Sequence, residues 1–294
     1  MIRPKVYFTK EITPESLIRI YEALGVELKG RVAVKVSTGE RGAKGYLKAD
    51  LIAPLVTKLG GTIVECNTAY PGSRNTAEEH LATAKEHGFD FAPIDIMDKD
   101  GEFRIPANGG KHLQYDIIGN SMKFYDGMLN LAHGKGHVMG GFGANLKNQS
   151  IGVASRNGKA YIHSCGHTED PDACWRDKHE QIDFIESMAE AAKAVADYFK
   201  GQGKPIVYIT VMNAISEDCD CDAHQGDPVM GDLGIIGSLD PVANDQAFLD
   251  LIWKSDDPGK AKIIERITSR EGEKITGYAE ELGLGLRDYE LVEI

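Results

Sequence analysis

Arg31-Val32-Ala33-Val34-Lys35-Val36 and Thr62-Ile63-Val64-Glu65-Cys66 frame residues 49–59, whose apolar residues recur at helical spacing and stop at Gly60-Gly61. Short β-branched runs on either side of an amphipathic helix read as a strand–helix–strand unit, the crossover that parallel strands require. The pattern continues along the chain. Residues 77–87 read as a helix with Gly88 where a C-cap glycine belongs, 91–96 as a strand and 127–132 as another. Residues 181–199 form the longest helix, with Ile182, Ile185, Met188, Ala192, Val195 and Phe199 on one face. Residues 206–211 are a buried strand and 233–236 a further one. Asp240 and Pro241 serve as N-cap and first residue of a helix through Trp253, and residues 289–292 end the chain as an edge strand. This alternation predicts an α/β fold with a mainly parallel or mixed sheet flanked by helices. With no convincing linker, residues 1–294 read as a two-lobed single domain, its lobes roughly 1–160 and 161–294.

A chain of 294 residues, 42% hydrophobic and 27% charged, buries a sizeable core without covalent staples. Its net charge of −12 argues against nucleic acid and against an anionic membrane surface as partners. No apolar run is long enough to span a bilayer, and the first residues, Met1-Ile2-Arg3-Pro4-Lys5, lack the pattern of a signal peptide. Five cysteines, an odd number in so long a chain, do not read as a disulfide framework. A reducing cytoplasm is the expected setting. Nothing in the composition decides between a monomer and a homo-oligomer.

The densest chemistry lies in Asp218-Cys219-Asp220-Cys221-Asp222-Ala223-His224, placed after one strand and before the next. Loops at strand carboxyl ends are where α/β proteins build sites. Cys219, Cys221 and His224 offer thiolate and imidazole, the ligands of zinc and iron. The flanking aspartates repel one another, which a cation would offset. The alternative is a solvated acidic turn with incidental cysteines. A second group, His163-Ser164-Cys165-Gly166-His167, follows the strand-like Ala160-Tyr161-Ile162 and offers Cys165 and His167 as further ligands, or is a polar surface loop.

Two glycine-rich stretches complete the set. His133-Gly134-Lys135-Gly136-His137, running on to Lys147-Asn148, sets cations among glycines that let a ligand approach the backbone closely. Ser37-Thr38-Gly39-Glu40-Arg41 offers hydroxyls and a cation to a phosphate or carboxylate. Neither fits the P-loop or the dinucleotide fingerprint, and either is open to the bland reading of a tight turn. Several polar loops at strand ends point to one crevice.

These residues resemble the family catalogued as domain of unknown function 362, often labelled iron–sulfur centre proteins. The resemblance rests on Ser37-Thr38-Gly39-Glu40, Glu65-Cys66-Asn67-Thr68-Ala69-Tyr70, Pro93-Ile94-Asp95-Ile96-Met97-Asp98, Gly109-Gly110-Lys111-His112, Lys135-Gly136-His137 with Lys147-Asn148, and Asp218-Cys219-Asp220-Cys221 with Asp240-Pro241-Val242-Ala243. It implies an α/β fold and a metal or iron–sulfur label, and no settled reaction. Other members carry a ferredoxin module; this chain, with Cys165 and Cys174 alone in that region, departs from it. A four-thiolate cluster would need Cys219, Cys221 and two of Cys66, Cys165 and Cys174, whereas a mononuclear zinc or iron centre demands less. The leading expectation is an enzyme acting on a small anionic molecule. Cys219, Cys221 and His224 bind the metal, Lys135, His137 and Lys147 hold or protonate the substrate, and Ser37, Thr38, Arg41 and Asn148 position its anion. The rival is an iron–sulfur redox protein or metal carrier without catalysis of its own, and a third reading makes the metal purely structural.

Overall fold

The strands that carry the molecule begin with β1 (Lys5–Thr9), β2 (Val32–Lys35), β3 (Thr62–Glu65) and β4 (Ile94–Ile96). A hairpin of β5 (Glu102–Pro106) and β6 (Tyr115–Gly119) follows, then β7 (Gly127–His133), then a small hairpin of β8 (Lys135–His137) and β9 (Gly141–Gly143). β10 (Ile206–Met212), β11 (Gly234–Ser238) and β12 (Glu290–Glu293) complete the set. This computed structural model describes residues 3–176, 179–223 and 225–294. Eight strands form one sheet in the order β12-β1-β11-β10-β7-β2-β3-β4. β11 runs antiparallel to β1 and β10, and the remaining neighbours are parallel. The fold is therefore α/β with a mixed, mainly parallel sheet.

Side chains alternate across the sheet. On β7, Met128 joins one core while Leu129 and Leu131 join the other. The second core seats helices Pro14–Ala23 and Ala49–Lys58 through Leu17, Ile20, Ile52 and Leu55. The first seats helices Gln181–Gly201, Pro241–Lys254 and Lys274–Glu281 through residues such as Phe184, Val195, Phe248 and Ile275. Asp240 caps the second of these by accepting from the Val242 and Ala243 amides at 2.9 and 3.0 Å, with Pro241 in its first turn as the sequence implied.

Three local expectations change. Residues 160–162 are not a strand but lie in helix Arg156–His163, which Ser155 caps by accepting from the Gly158 amide; a three-residue apolar run has no periodicity with which to tell the two apart. The strand expected over 91–96 shrinks to β4, with a 3-10 turn over Phe89–Phe91 before it. The glycine-rich stretch after β7 is a hairpin, not an open loop.

Candidate active site

Chain connectivity sets the position of the site. From β2 the chain moves outward to β3 and β4, whereas from β7 it moves the other way to β10. The carboxyl ends of β2 and β7 thus diverge, and such a switch point opens a crevice. A cavity of about 840 Å³ lies there, lined from the segments after β2, β3 and β7 and from the Cys219 loop after β10.

Its floor is a buried charge network. Lys35, the last residue of β2, donates to Glu65 Oε2 at 2.8 Å, Asn148 Oδ1 at 3.0 Å and its neighbour's carbonyl, Val36 O, at 3.2 Å. Glu65, the last residue of β3, also accepts from the Thr38 amide at 2.8 Å and Thr38 Oγ1 at 3.2 Å. Burial opposes its charge, but Lys35, His80 and Arg74 outweigh that and hold the carboxyl well below its ordinary range. Arg74 bridges Glu65 and Glu40, each at 3.5 Å, and donates to Tyr70 Oη at 3.0 Å. The Tyr70 hydroxyl in turn donates to the Cys221 carbonyl at 3.0 Å, tying the network to the cysteine loop.

One wall is the β8–β9 hairpin. Gly136 is where glycine is indispensable: a Cβ there would stand 2.1 Å from the Glu217 carbonyl oxygen. The close approach lets the Gly136 amide donate to Ser216 O at 2.9 Å and lays the cysteine loop against His137. Lys135 pairs with Asp220 at 2.8 Å. Burial disfavours the Asp220 carboxylate, yet Lys135 and His133 hold it far below its usual range. Three of the charges around the cysteines face cations of the protein itself, Asp220 with Lys135 and Glu217 and Asp218 with Arg266 at 3.1 and 3.3 Å. Part of the repulsion expected in this loop is thus met internally, while burial, Glu217 and Asp222 still disfavour the Asp218 charge.

Cys219 and Cys221 are joined as a disulfide that encloses one residue. So short a link closes almost no loop and is no staple of the fold. Cys219 is buried and Cys221 partly exposed. His137 Nε2 lies 3.7 Å from Cys221 Sγ. Together His137, Cys219 and Cys221 form a cluster that could hold a metal ion. A metal takes the sulfurs as thiolates, so the bonded pair must be reduced first. His137 Nδ1 accepts from the Gly140 and Met139 amides at 2.8 and 3.2 Å, so its neutral ring carries the proton on Nε2, toward the sulfur. Ligation through Nε2 would require Nδ1 to give up both amides. Once reduced, the two sulfurs fit a soft ion, and the imidazole after a turn of its ring. Cys66, Cys165 and Cys174 belong to neither metal-competent cluster among the described residues, so the donor set does not fit a four-thiolate iron–sulfur centre. The other cluster, His112, Asp183 and Glu186, is half-exposed and already holds an ion pair from Lys111 to Glu186 at 2.7 Å.

Lys147 stands on helix Asn145–Gln149. Asp245 anchors that helix, accepting from the Asn145 and Leu146 amides at 2.9 Å each. Asn145 adds bonds to Thr210 and Asn244 at 2.7 and 2.8 Å. Lys147 lines the cavity, and among the described residues it has no carboxylate within ion-pair distance. Burial, then the nearby Lys135 charge, push its amine down to about 7.

The other residues singled out in the sequence fall as follows. Ser37 lines the cavity. Thr38 is wholly buried and bonded to Glu65. Arg41 sits at the mouth and pairs with Glu86 at 2.8 Å on the surface. Asn148 holds Lys35 in place. Cys165 is buried in the turn after helix Arg156–His163, and His167 follows it. His224 lies outside the described residues. Sequence reasoning missed Lys35, Glu65, Arg74 and Asp220 as a network. The clue was a lone charge in each apolar run, Lys35 between Val34 and Val36 and Glu65 between Val64 and Cys66.

No curated protein matches the chain. Among solved structures it is similar to the lactate racemase apoprotein from Thermoanaerobacterium thermosaccharolyticum, with 13% identity, a TM-score of 0.48, and 84% of this chain and 56% of that one covered. A protein from Thermotoga maritima gives 13% identity, a TM-score of 0.38 and coverage of 87% and 58%. The chain thus spans less than two thirds of the length of either. Residues 32–250, most of the chain, match the family described as Domain of unknown function (DUF362), and the chain belongs to that family.

Proposed function

We propose that this chain is an enzyme for an anionic substrate, held at Lys135 and Lys147 and transformed beside the Cys219–Cys221 pair. Lys147 is the observation that carries the reading. The other cavity cations at hand have a carboxylate or backbone carbonyls to meet their charge: Lys35 has Glu65, Arg74 has Glu40 and Glu65, Lys135 has Asp220, and Lys159 has Ala154 O at 2.6 Å. Among the described residues Lys147 has neither, which leaves it for a ligand's charge. Lys135, fixed by Asp220, offers a cation that burial disfavours and the Asp220 carboxylate supports, and Lys147 an amine whose proton is transferable near neutral pH. His137 presents its Nε2 proton to the sulfur side of the cavity. A metal ion held by the reduced Cys219 and Cys221 would supply Lewis-acid polarisation of the substrate.

The test is uptake of Zn²⁺ or Fe²⁺ before and after thiol reduction, read by elemental analysis of the desalted protein. The expected result is about one ion per chain in the reduced protein, and loss of that ion in Cys221→Ser and in oxidised protein. No uptake after reduction would remove the metal from the reading. A second reading takes the thiol pair as the function, a redox or metal-carrying couple without its own catalysis; the sulfur–sulfur bond favours it. Zinc retained without any binding of small carboxylates would select it.

A further inference from the structure

The cavity is larger than the head group its lysines would hold. At about 840 Å³ it falls among pockets that enclose drug-sized ligands, not acids of a few carbons. Part of its lining is apolar, from Val138, Met139, Ile151 and Trp175. Val138 and Trp175 are each 43% exposed, large apolar side chains left to water at the rim of a binding cavity. One imidazole connects this rim to the lysines. His163 packs against the Trp175 ring with centroids 4.9 Å apart. Burial, then the Lys147 charge, push His163 down to about 3. Its Nδ1 is buried without a hydrogen-bond partner.

We propose that the ligand is an amphiphilic acid, an anionic head at Lys135 and Lys147 joined to an apolar body of about one ring that lies past His163 onto Trp175 and Val138. This rests on the reading of the lysines as the anion site. The charge of the head and the cover for the rim come from the two ends of one molecule, and burying the ring removes apolar surface from water.

The chain has two tryptophans, and Trp253 lies on helix Pro241–Lys254, away from the cavity lining. In Trp253→Phe protein, fluorescence therefore reports Trp175. Acetate, phenylacetate and 3-phenylpropanoate are titrated into it. The expected result is quenching of Trp175 and an affinity gain of roughly tenfold or more from acetate to 3-phenylpropanoate, the scale for burying a phenyl ring. By calorimetry the gain disappears in Trp175→Ala and shrinks in Val138→Thr, while acetate binding persists in both. Lys147→Gln weakens all three acids. Equal affinity for the three acids overturns the inference and leaves the anion site standing. A gain that survives Trp175→Ala and Val138→Thr also overturns it. No binding of any acid brings down both readings.

Discussion

At Lys147 an ammonium loses hydration without gaining a carboxylate, and the consequences run in two directions with pH. Burial pushes its amine down to about 7 in the folded chain, against an ordinary 10.5. Between those values the unfolded chain holds a proton that the folded chain lacks, so this residue makes stability rise with pH across that window. Below it, both states are protonated and the folded state bears the full cost of the buried charge. Lys147→Met should therefore raise the melting temperature most at about pH 6 and least at about pH 9, measured by thermal denaturation in matched buffers. Anion affinity runs oppositely in the parent protein, falling as pH rises through about 7, and Lys147→Met should flatten that profile. A melting difference independent of pH would show that Lys147 is stably paired. Cys221 carries a second prediction, the loss of metal uptake on change to serine.

Among the elements, the β8–β9 hairpin and the capped helix Pro241–Lys254 make contrasting demands. The hairpin holds His137 against the cysteine loop because Gly136 has no Cβ. Gly136→Ala puts a methyl against the Glu217 carbonyl, and overpacking of this kind costs about 1–3 kcal/mol. The expected outcome is lowered stability together with weaker metal uptake by the reduced protein, since the loop must move away from His137; urea denaturation and elemental analysis check the two parts. Asp240 is a purely structural counterpart. Asp240→Ala removes the cap and should cost about 1–2 kcal/mol while leaving metal uptake unchanged. Loss of metal in that variant would mean that the site depends on the far end of the sheet.

The whole molecule carries a net charge of −12, yet its cavity is lined by six Lys and Arg side chains against four Asp and Glu. Such an excess of cations would concentrate the anionic ligand proposed above. No described helix is long and apolar enough to cross a membrane. The sheet interleaves both ends of the sequence, with β1 between β12 and β11. Our proposal that residues 1–294 form one domain predicts a single unfolding transition, with equal calorimetric and van't Hoff enthalpies in scanning calorimetry of the reduced protein. Two resolved transitions would mean that the lobes 1–160 and 161–294 fold separately.

Composition and periodicity alone established the α/β class, the helices near 49–59, 181–199 and 240–253, the Asp240 cap and the polar loops at strand ends, because apolar spacing and capping are local properties. The motif residues also pointed to the family. Only the tertiary structure decided which polar residues meet. It placed His137 beside Cys221 across a long gap in sequence, and turned Asp220 to Lys135. It also put Thr38 on Glu65. The reason is physical: partners across a sheet are set by strand order, and strand order depends on the packing of the whole chain.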